Sequence, residues 1–332
     1  MKTGVSYYGN RLVKHFKRDL QDMIEHHCNF VLHTFSEEDW RFYESTVGDM
    51  VRLTREAGLE ACVDPWAVGS VFGGEEFSDL VATDLDVRQV GSGGTSLPHA
   101  CLNNSKFRQF MRRWLDTVAA MEADSVLWDE PHFHLPQWGG SKEWGCRCET
   151  CQGRFKEKFG AEMPLEECPE VRDFKEDSVL DFLIEMCDYT HTKGMKNVVC
   201  LLPAENQDYG MRDWSKIVSI PSLDVFGTDP YWRKDEKDVG AYVGRFAKRV
   251  VELTAQYGKE AQIWILNFGL PAGTESNVRL AVEAAYEAGV RNLGAWCYEG
   301  AAHVSTLKSG NPQAVWETLG RSYEWAHSKA RN

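Results

Sequence analysis

The sequence predicts an α/β fold, a single (β/α)₈ TIM barrel with long loops after strands three and four. Three observations indicate it: eight short β-rich runs, amphipathic helical stretches between them, and glycines that end several of those stretches. Repeated strand–helix alternation favours a parallel sheet, and eight repeats favour closing that sheet into a barrel. Because no linker or low-complexity run divides the chain, we expect residues 1–332 to form one domain.

The eight predicted strands follow one another at spacings that leave room for a helix between most pairs. Helical stretches between them repeat apolar residues every three or four positions. An open doubly wound sheet is the alternative, but no strand is followed by GxGxxG, and the glycine-rich segment 91–96 has no predicted strand before it. The predicted strands are residues 4–8, 29–35, 60–65, 125–130, 197–202, 223–229, 262–267 and 292–298, and the glycines that end helical stretches are Gly58, Gly194, Gly258 and Gly289.

Two long segments after strands three and four, residues 66–105 and 132–177, are expected to form one wall of a pocket. In such barrels the segments after strands build the carboxyl-terminal face, where the active sites lie. We therefore look for chemistry at the strand ends on that face.

Composition restricts the partners. With 50 acidic against 37 basic residues the formal charge is −13, which argues against binding nucleic acid. The amino terminus shows no apolar run long enough for a signal peptide, and no later stretch reaches about 20 apolar residues, so we expect a cytoplasmic protein without a membrane partner. Ten cysteines in such a protein indicate reduced thiols or a metal site. A homo-oligomer stays open.

The fourth strand ends in WDEPHF, which places Asp129, Glu130 and His132 at one strand tip. Adjacent carboxylates are unfavourable unless one has a function, and Glu130 is the first candidate for a catalytic acid. Because side chains alternate across a strand, Asp129 and Glu130 are predicted to point to different faces. Asp129 and His132 are candidates for substrate binding.

The sixth and eighth strands end in similar patterns. TDPYW supplies Asp229, the candidate partner carboxylate, followed by Tyr231 and Trp232, whose rings could stack on a sugar. AWCYEG supplies Trp296 for stacking and Glu299 as the reserve catalytic carboxylate. A turn with buried aromatics is the structural alternative for the sixth strand.

Further candidates for substrate binding lie at the tips of the remaining strands. The seventh strand, IWILNF, contributes Trp264 and Asn267, with no acid at its end. His33 and the pair Asp64 and Trp66 follow the second and third strands and could bind hydroxyl groups. A structural role is the alternative for each.

Glycoside hydrolysis needs a proton donor and a second carboxylate, about 5–5.5 Å apart for retention and about 6.5–9.5 Å for inversion. The sequence offers Glu130 as donor and Asp229 as nucleophile or general base. Glu130 must stay protonated near neutral pH, and burial beside Trp128 or a like charge from Asp129 would favour that form.

The segment GCRCETC carries Cys146, Cys148 and Cys151, a ligand spacing typical of a structural tetrahedral zinc. Three unrelated reduced cysteines are the alternative. A closed thiolate site also needs a fourth ligand from elsewhere in the chain. No organic cofactor is expected.

This cluster, with WDEP and the preceding PHACLNN, resembles glycoside hydrolase family 42, the β-galactosidases. The resemblance implies a structural zinc whose fourth ligand is Cys101, with Cys168 as the rival. WDEP is similar to the Asn-Glu-Pro of retaining barrel glycosidases, in which the Glu is the acid/base, and this implies that role for Glu130. The chain departs from that pattern at strand seven, where Asn267 stands at the position of the nucleophilic Glu.

The sequence thus predicts a glycoside hydrolase with a carbohydrate substrate. A metal-dependent sugar isomerase or lyase on the same barrel is one alternative, and a carbohydrate-binding barrel without catalysis is the other. The absent strand-seven carboxylate keeps the last alternative open.

Overall fold

The computed structural model describes residues 1–138, 140–206 and 209–331 and contains a closed barrel of eight parallel strands. The predicted fold class is therefore confirmed. Around the barrel the strands follow the order β1-β10-β9-β8-β7-β6-β3-β2, and β4 and β5 form a separate antiparallel hairpin. The strands are β1 (Lys2–Tyr7), β2 (Phe30–Thr34), β3 (Glu60–Asp64), β4 (Arg88–Val90), β5 (Ser96–Ala100), β6 (Ser125–Asp129), β7 (Lys196–Leu201), β8 (Val225–Thr228), β9 (Glu260–Leu266) and β10 (Asn292–Trp296).

Helices surround the barrel and connect successive strands. The four glycines predicted to end helical stretches all have positive φ, from +67° at Gly258 to +106° at Gly289, which an L side chain would resist. No helix of the described residues is long and apolar enough to cross a bilayer. The helices are α1 (Val13–Glu25), α2 (Glu37–Phe42), α3 (Glu44–Glu56), α4 (Asp79–Thr83), α5 (Ser105–Ala120), α6 (Glu149–Phe159), α7 (Pro169–Thr192), α8 (Ser215–Val218), α9 (Val239–Tyr257), α10 (Ser276–Glu287) and α11 (Pro312–Arg331).

Strand alternation separates two apolar layers. One layer fills the space between strands and helices, where Val31, Val63 and Val126 lie. The other fills the barrel interior, where Leu32 and Leu127 pack with neighbouring side chains. Because the interior is packed with side chains, a pocket can form only above it, at the carboxyl-terminal mouth of the barrel.

The two long loops after β3 and β6 bond to each other. The backbone N–H of Ser92 donates to the Trp144 carbonyl at 2.9 Å, and that of Arg147 donates to the Val90 carbonyl at 2.7 Å. Residues 91–95 of the glycine-rich segment form the turn between β4 and β5. The expectation that no strand precedes it was wrong, because a three-residue strand leaves no periodic signal.

Candidate active site and metal centre

A cavity of 420 Å³ opens at the carboxyl ends of the strands from β6 to β10. Its wall combines carboxyl groups with aromatic rings. We call it the acidic pocket, and its defining residues are Glu75, Asp129, Glu130, Cys200, Asp229, Tyr231, Trp264, Phe268 and Trp296. The pocket therefore gathers Glu130 and Asp229, which the sequence assigned to catalysis.

Asp129 and Glu130 both face this cavity, contrary to the prediction that they point to different faces. Alternation holds only within a strand, and β6 ends at Asp129. Glu130 follows with φ of +47°, and its backbone N–H donates to the Cys200 carbonyl at 2.8 Å. This left-handed turn brings the second carboxyl group to the same side as the first.

Glu130 and Asp229 share a hydrogen bond between their carboxyl groups. Burial raises the pKa of Glu130 well above its usual range, and the charge of Asp229 and the shared bond raise it further. Burial also raises the pKa of Asp229, whereas the bond from Glu130 opposes that rise. The shared bond thus favours the proton on Glu130, with Asp229 as the acceptor.

Asp129 lies beside this pair and accepts a hydrogen bond from the Cys200 thiol. Burial, followed by the charge of Glu130, raises the pKa of Asp129 well above its usual range. The loop after β3 packs directly on it: the Gly73 N–H donates to the Asp129 carbonyl at 3.0 Å. A Cβ at Gly73 would overlap the Asp129 carboxylate, so only glycine allows this approach.

Glu75 is a fourth acidic residue of the pocket, and the sequence reasoning missed it. Burial raises its pKa, and its charge in turn raises the pKa of Glu130 and Asp129. The signal was the pair of acids after two glycines in the segment GGEEF. A loop residue has no strand register, so its direction was not predictable.

Aromatic rings form the opposite wall. Tyr231, Trp264 and Trp296 line the pocket, as expected for residues that stack on a sugar. Tyr8 stacks on Trp296 with ring centroids 5.6 Å apart, and Trp264 meets Trp296 edge to face at 6.1 Å. The pocket therefore combines aromatic side chains with carboxyl groups.

Two histidines assigned to substrate binding lie outside the pocket. His33 is on the outer face of β2, where its Nε2 and the Thr54 hydroxyl of α3 are 2.9 Å apart, and burial lowers its pKa to about 3. The His132 ring contacts the Glu130 carbonyl in the loop after β6, and the backbone N–H of His132 donates to the Val71 carbonyl at 3.1 Å. Burial lowers the pKa of His132 to about 4. Both histidines are buried and neutral, and neither lines the acidic pocket.

Asn267 and Glu299 also lie apart from the pocket. The Asn267 amide donates to the Cys297 carbonyl at 2.8 Å and ties the ends of β9 and β10 together. Glu299 lies in another cavity and pairs with His303 at 2.9 Å. The reserve catalytic assignment of Glu299 is therefore not supported by its position.

The remaining candidates lie next to the pocket. Asp64 is fully buried with neither carboxyl oxygen hydrogen-bonded, and burial and the nearby Asp129 raise its pKa. Trp66 packs against Tyr8 with ring centroids 5.0 Å apart and lines an adjacent cavity. Trp232 is buried and lines a different cavity, next to Tyr231.

Four cysteines form a closed cluster on the loops after β5 and β6. Cys101, Cys146, Cys148 and Cys151 place their sulfurs within 4.8 Å of one another, and could hold a metal ion. Cys101 Sγ lies 3.5 Å from Cys151 Sγ and 3.7 Å from Cys148 Sγ. Disulfides are about 2.05 Å long, whereas Zn–S bonds of about 2.3 Å in a tetrahedron separate sulfurs by about 3.8 Å. The spacing fits a tetrahedral metal.

Polar groups around this cysteine cluster donate hydrogen bonds to its sulfurs, as thiolates require. The Val90 backbone N–H and the Asn103 amide each donate to a cluster sulfur at 3.4 Å. The Arg154 guanidinium donates to the side-chain oxygen Oδ1 of Asn103 at 2.7 Å. Cys168 lies outside the cluster, at the start of α7, so the rival ligand is excluded by position.

The fold can be compared with known proteins at this point. No protein-family model and no curated protein matches the chain. Among solved structures, an endo-1,4-β-mannanase from Rhizomucor miehei has a TM-score of 0.68 at 10% identity, covering 98% of this chain and 95% of its own. GH5_18 from Streptomyces cattleya, solved with GlcNAc, has a TM-score of 0.60 at 12% identity, covering 99% and 80%.

A D-psicose 3-epimerase from Clostridium cellulolyticum H10, solved with D-tagatose, is also similar, with a TM-score of 0.50 at 9% identity over 100% of this chain and 98% of its own. Identities this low establish the shared barrel and nothing finer.

Proposed function

We propose that this chain is a glycoside hydrolase whose catalytic centre is the acidic pocket. The observation that carries the proposal is the hydrogen-bonded pair of Glu130 and Asp229, buried opposite an aromatic wall. Two carboxyl groups in different protonation states are the minimum that glycosidic bond cleavage requires. The similarity of the barrel to the mannanase and to GH5_18 supports the same class.

In this proposal Glu130 donates its proton to the glycosidic oxygen as the bond to the sugar breaks. Its raised pKa keeps it protonated at pH values where an exposed glutamate would be ionised. Activity that depends on this proton is lost as the pH rises through the pKa that Glu130 has in the folded protein. Asp229, in its ionised form, stabilises the positive charge that develops on the sugar or attacks it.

Direct contact between the pair is closer than the separations of about 5–5.5 Å and 6.5–9.5 Å that retaining and inverting enzymes use. We propose that the sugar enters between the two carboxyl groups and replaces their shared hydrogen bond. Asp129 and Glu75 then face the sugar hydroxyls from the same cavity. Trp264 and Trp296 offer rings on which the sugar can stack.

The two alternatives receive less support. A metal-dependent isomerase or lyase needs acids and histidines converging on one ion, yet within residues 1–138, 140–206 and 209–331 the cysteine cluster is the one group close enough to share a metal. A barrel that only binds sugar could use carboxyl groups to accept hydrogen bonds from hydroxyls, but it would not need two adjacent ones that differ in protonation, as proposed for Glu130 and Asp229.

We further propose that Cys101, Cys146, Cys148 and Cys151 hold one structural zinc. The sulfur spacing and the N–H donors support it. Four thiolates leave no open position, so the ion would brace the loops and take no part in catalysis.

The experiment is a screen of aryl glycosides of common sugars in both anomers, with Glu130→Gln as the matched control. We expect turnover of at least one sugar by the native protein, and a loss in the variant that is largest for the glycosides whose leaving group most needs a proton. Sugar binding without turnover would favour the non-catalytic barrel, and interconversion of free sugars dependent on added divalent metal would favour the isomerase.

A further inference from the structure

A second cavity, of 590 Å³, adjoins the acidic pocket. The two cavities share Tyr231, Arg233 and Phe268 in their walls. The rings of Tyr231 and Phe268 meet edge to face between them, with centroids 5.5 Å apart and an interplanar angle of 89°. A ligand held beside Asp229 can therefore extend past these rings into the second cavity.

The walls of this second cavity, which we call the apolar compartment, come from the loops after β8, β9 and β10. Trp232, Leu266 and Leu270 are buried there. Two backbone bonds of 2.7 Å, from the Gly269 N–H to the Leu307 carbonyl and from the Gly310 N–H to the Leu270 carbonyl, join two of these loops. Because these polar groups bond each other, the loops present apolar side chains to the cavity.

The polar residues that line the apolar compartment are mostly exposed, as Arg233, Lys234, Asp235 and Thr306 are, and Asn277 is half-buried. The Thr274 hydroxyl already donates to the Pro271 carbonyl at 2.7 Å. Among the described lining residues Asp235 is the one acid, and it pairs with Arg233 at 3.4 Å on side chains more than three-quarters exposed. A second sugar ring would leave hydroxyls against the buried apolar residues of this cavity, which is unfavourable, whereas an apolar group would not.

We propose that the substrates are glycosides whose leaving alcohol carries an aromatic or similarly apolar group, and that the apolar compartment binds this group. The proposal rests on the glycosidase function proposed for the acidic pocket. The sugar occupies the acidic pocket, the glycosidic oxygen lies near the Glu130–Asp229 pair, and the apolar group passes Tyr231 and Phe268. Hydrolysis transfers the carboxyl proton to the leaving oxygen, and water supplies the hydroxyl group of the sugar.

The kinetic test compares benzyl and methyl glycosides of whichever sugar the screen identifies. Both leaving groups are simple alcohols of similar acidity, so their intrinsic departure is matched. Burial of a phenyl ring predicts a kcat/KM about 10- to 100-fold higher for the benzyl glycoside. Equal kcat/KM values for the benzyl and methyl glycosides in the native protein would overturn the proposal.

Two neighbouring variants localise the effect. Thr306 lines the apolar compartment at an exposed position, so Thr306→Trp should fill it and lower the benzyl-to-methyl ratio by about tenfold. Ser305 is also exposed but does not line the cavity, and Ser305→Trp should keep the native ratio. A native ratio in Thr306→Trp would contradict the assignment.

A binding measurement separates this inference from the proposed activity. If no glycoside of any sugar is cleaved, the glycosidase proposal fails, and the compartment is tested with benzyl alcohol by saturation-transfer NMR. Binding that is weakened in Thr306→Trp and kept in Ser305→Trp supports the compartment. No binding by the native protein, or equal binding by both variants, overturns it.

Discussion

The acidic pocket and the cysteine cluster both depend on the loops after β3 and β6, yet they treat their reactive groups in opposite ways. The pocket exposes carboxyl groups to a cavity of 420 Å³, with the Glu130–Asp229 pair sharing a proton. The cluster closes four sulfurs within 4.8 Å of one another. The carboxyl groups of the pocket are therefore available to a ligand, whereas the sulfurs of the cluster contact one another or an ion.

The difference teaches what each region should contribute. Buried carboxyl groups oppose folding when they ionise, and Arg233, the basic residue that lines the pocket, is mostly exposed, so the pocket lowers the stability of the folded protein. A structural zinc adds its binding energy to folding. Substitutions in the pocket should therefore remove activity and leave stability, and substitutions in the cluster should do the reverse.

The largest expected effect is on turnover in Asp229→Asn. Loss of the ionised carboxylate should lower kcat by about 10³-fold or more on every cleaved glycoside, since an amide carries no negative charge to meet the positive charge that develops on the sugar. Steady-state kinetics measure the loss, and thermal unfolding should show an unchanged or higher Tm. Asp188→Asn, at an exposed position of α7, is the matched control. Near-native activity in Asp229→Asn would break the comparison.

The next effect is on stability in Cys148→Ser. Loss of one ligand should release the metal and destabilise the protein by roughly 3 kcal/mol, and lower Tm by about 4 °C. Elemental analysis should find one zinc per native chain and less in the variant. Cys168→Ser removes a thiol outside the cluster and should match the native protein in both measurements. Equal zinc content in both variants would contradict the ligand set.

A smaller effect is predicted for Asp64→Asn and depends on pH. Because burial raises the pKa of Asp64 in the folded protein, its protonated form is fully stabilising only below the unfolded pKa of about 3.9. Native stability is lost as the pH rises from there through the folded pKa, because the unfolded chain gives up this proton more readily than the buried group does. The variant should thus gain Tm relative to native protein as the pH rises above about 4, by a few degrees. A difference in Tm that does not change with pH would refute this assignment.

The same comparison shows what the sequence could and could not predict. The eight strands, the glycine helix ends and the three clustered cysteines are local patterns, and the fold and the thiol group followed from them. The acids at the ends of β6 and β8 were found because a strand end fixes a position on the barrel mouth. The single-domain and cytoplasmic expectations stay predictions.

Side-chain direction at the strand ends was less predictable. Glu130 turns inward through a positive φ, whereas His33 faces α3 and Asn267 ties two strands together. Glu75 reaches the pocket from a loop that packs on Asp129 through Gly73. These directions depend on contacts between segments distant in the chain, so no period in the sequence encodes them.

The central claim is that Glu130 is the proton donor, and the leaving group tests it most directly. A dinitrophenolate departs without a proton, whereas a benzyl alcohol needs one. Kinetics of Glu130→Gln on the two glycosides of the same sugar should show a loss of about 10²–10⁴-fold for the benzyl compound and a much smaller loss for the dinitrophenyl compound. Equal losses on both substrates, or no loss on either, would contradict the assignment of Glu130 as the acid.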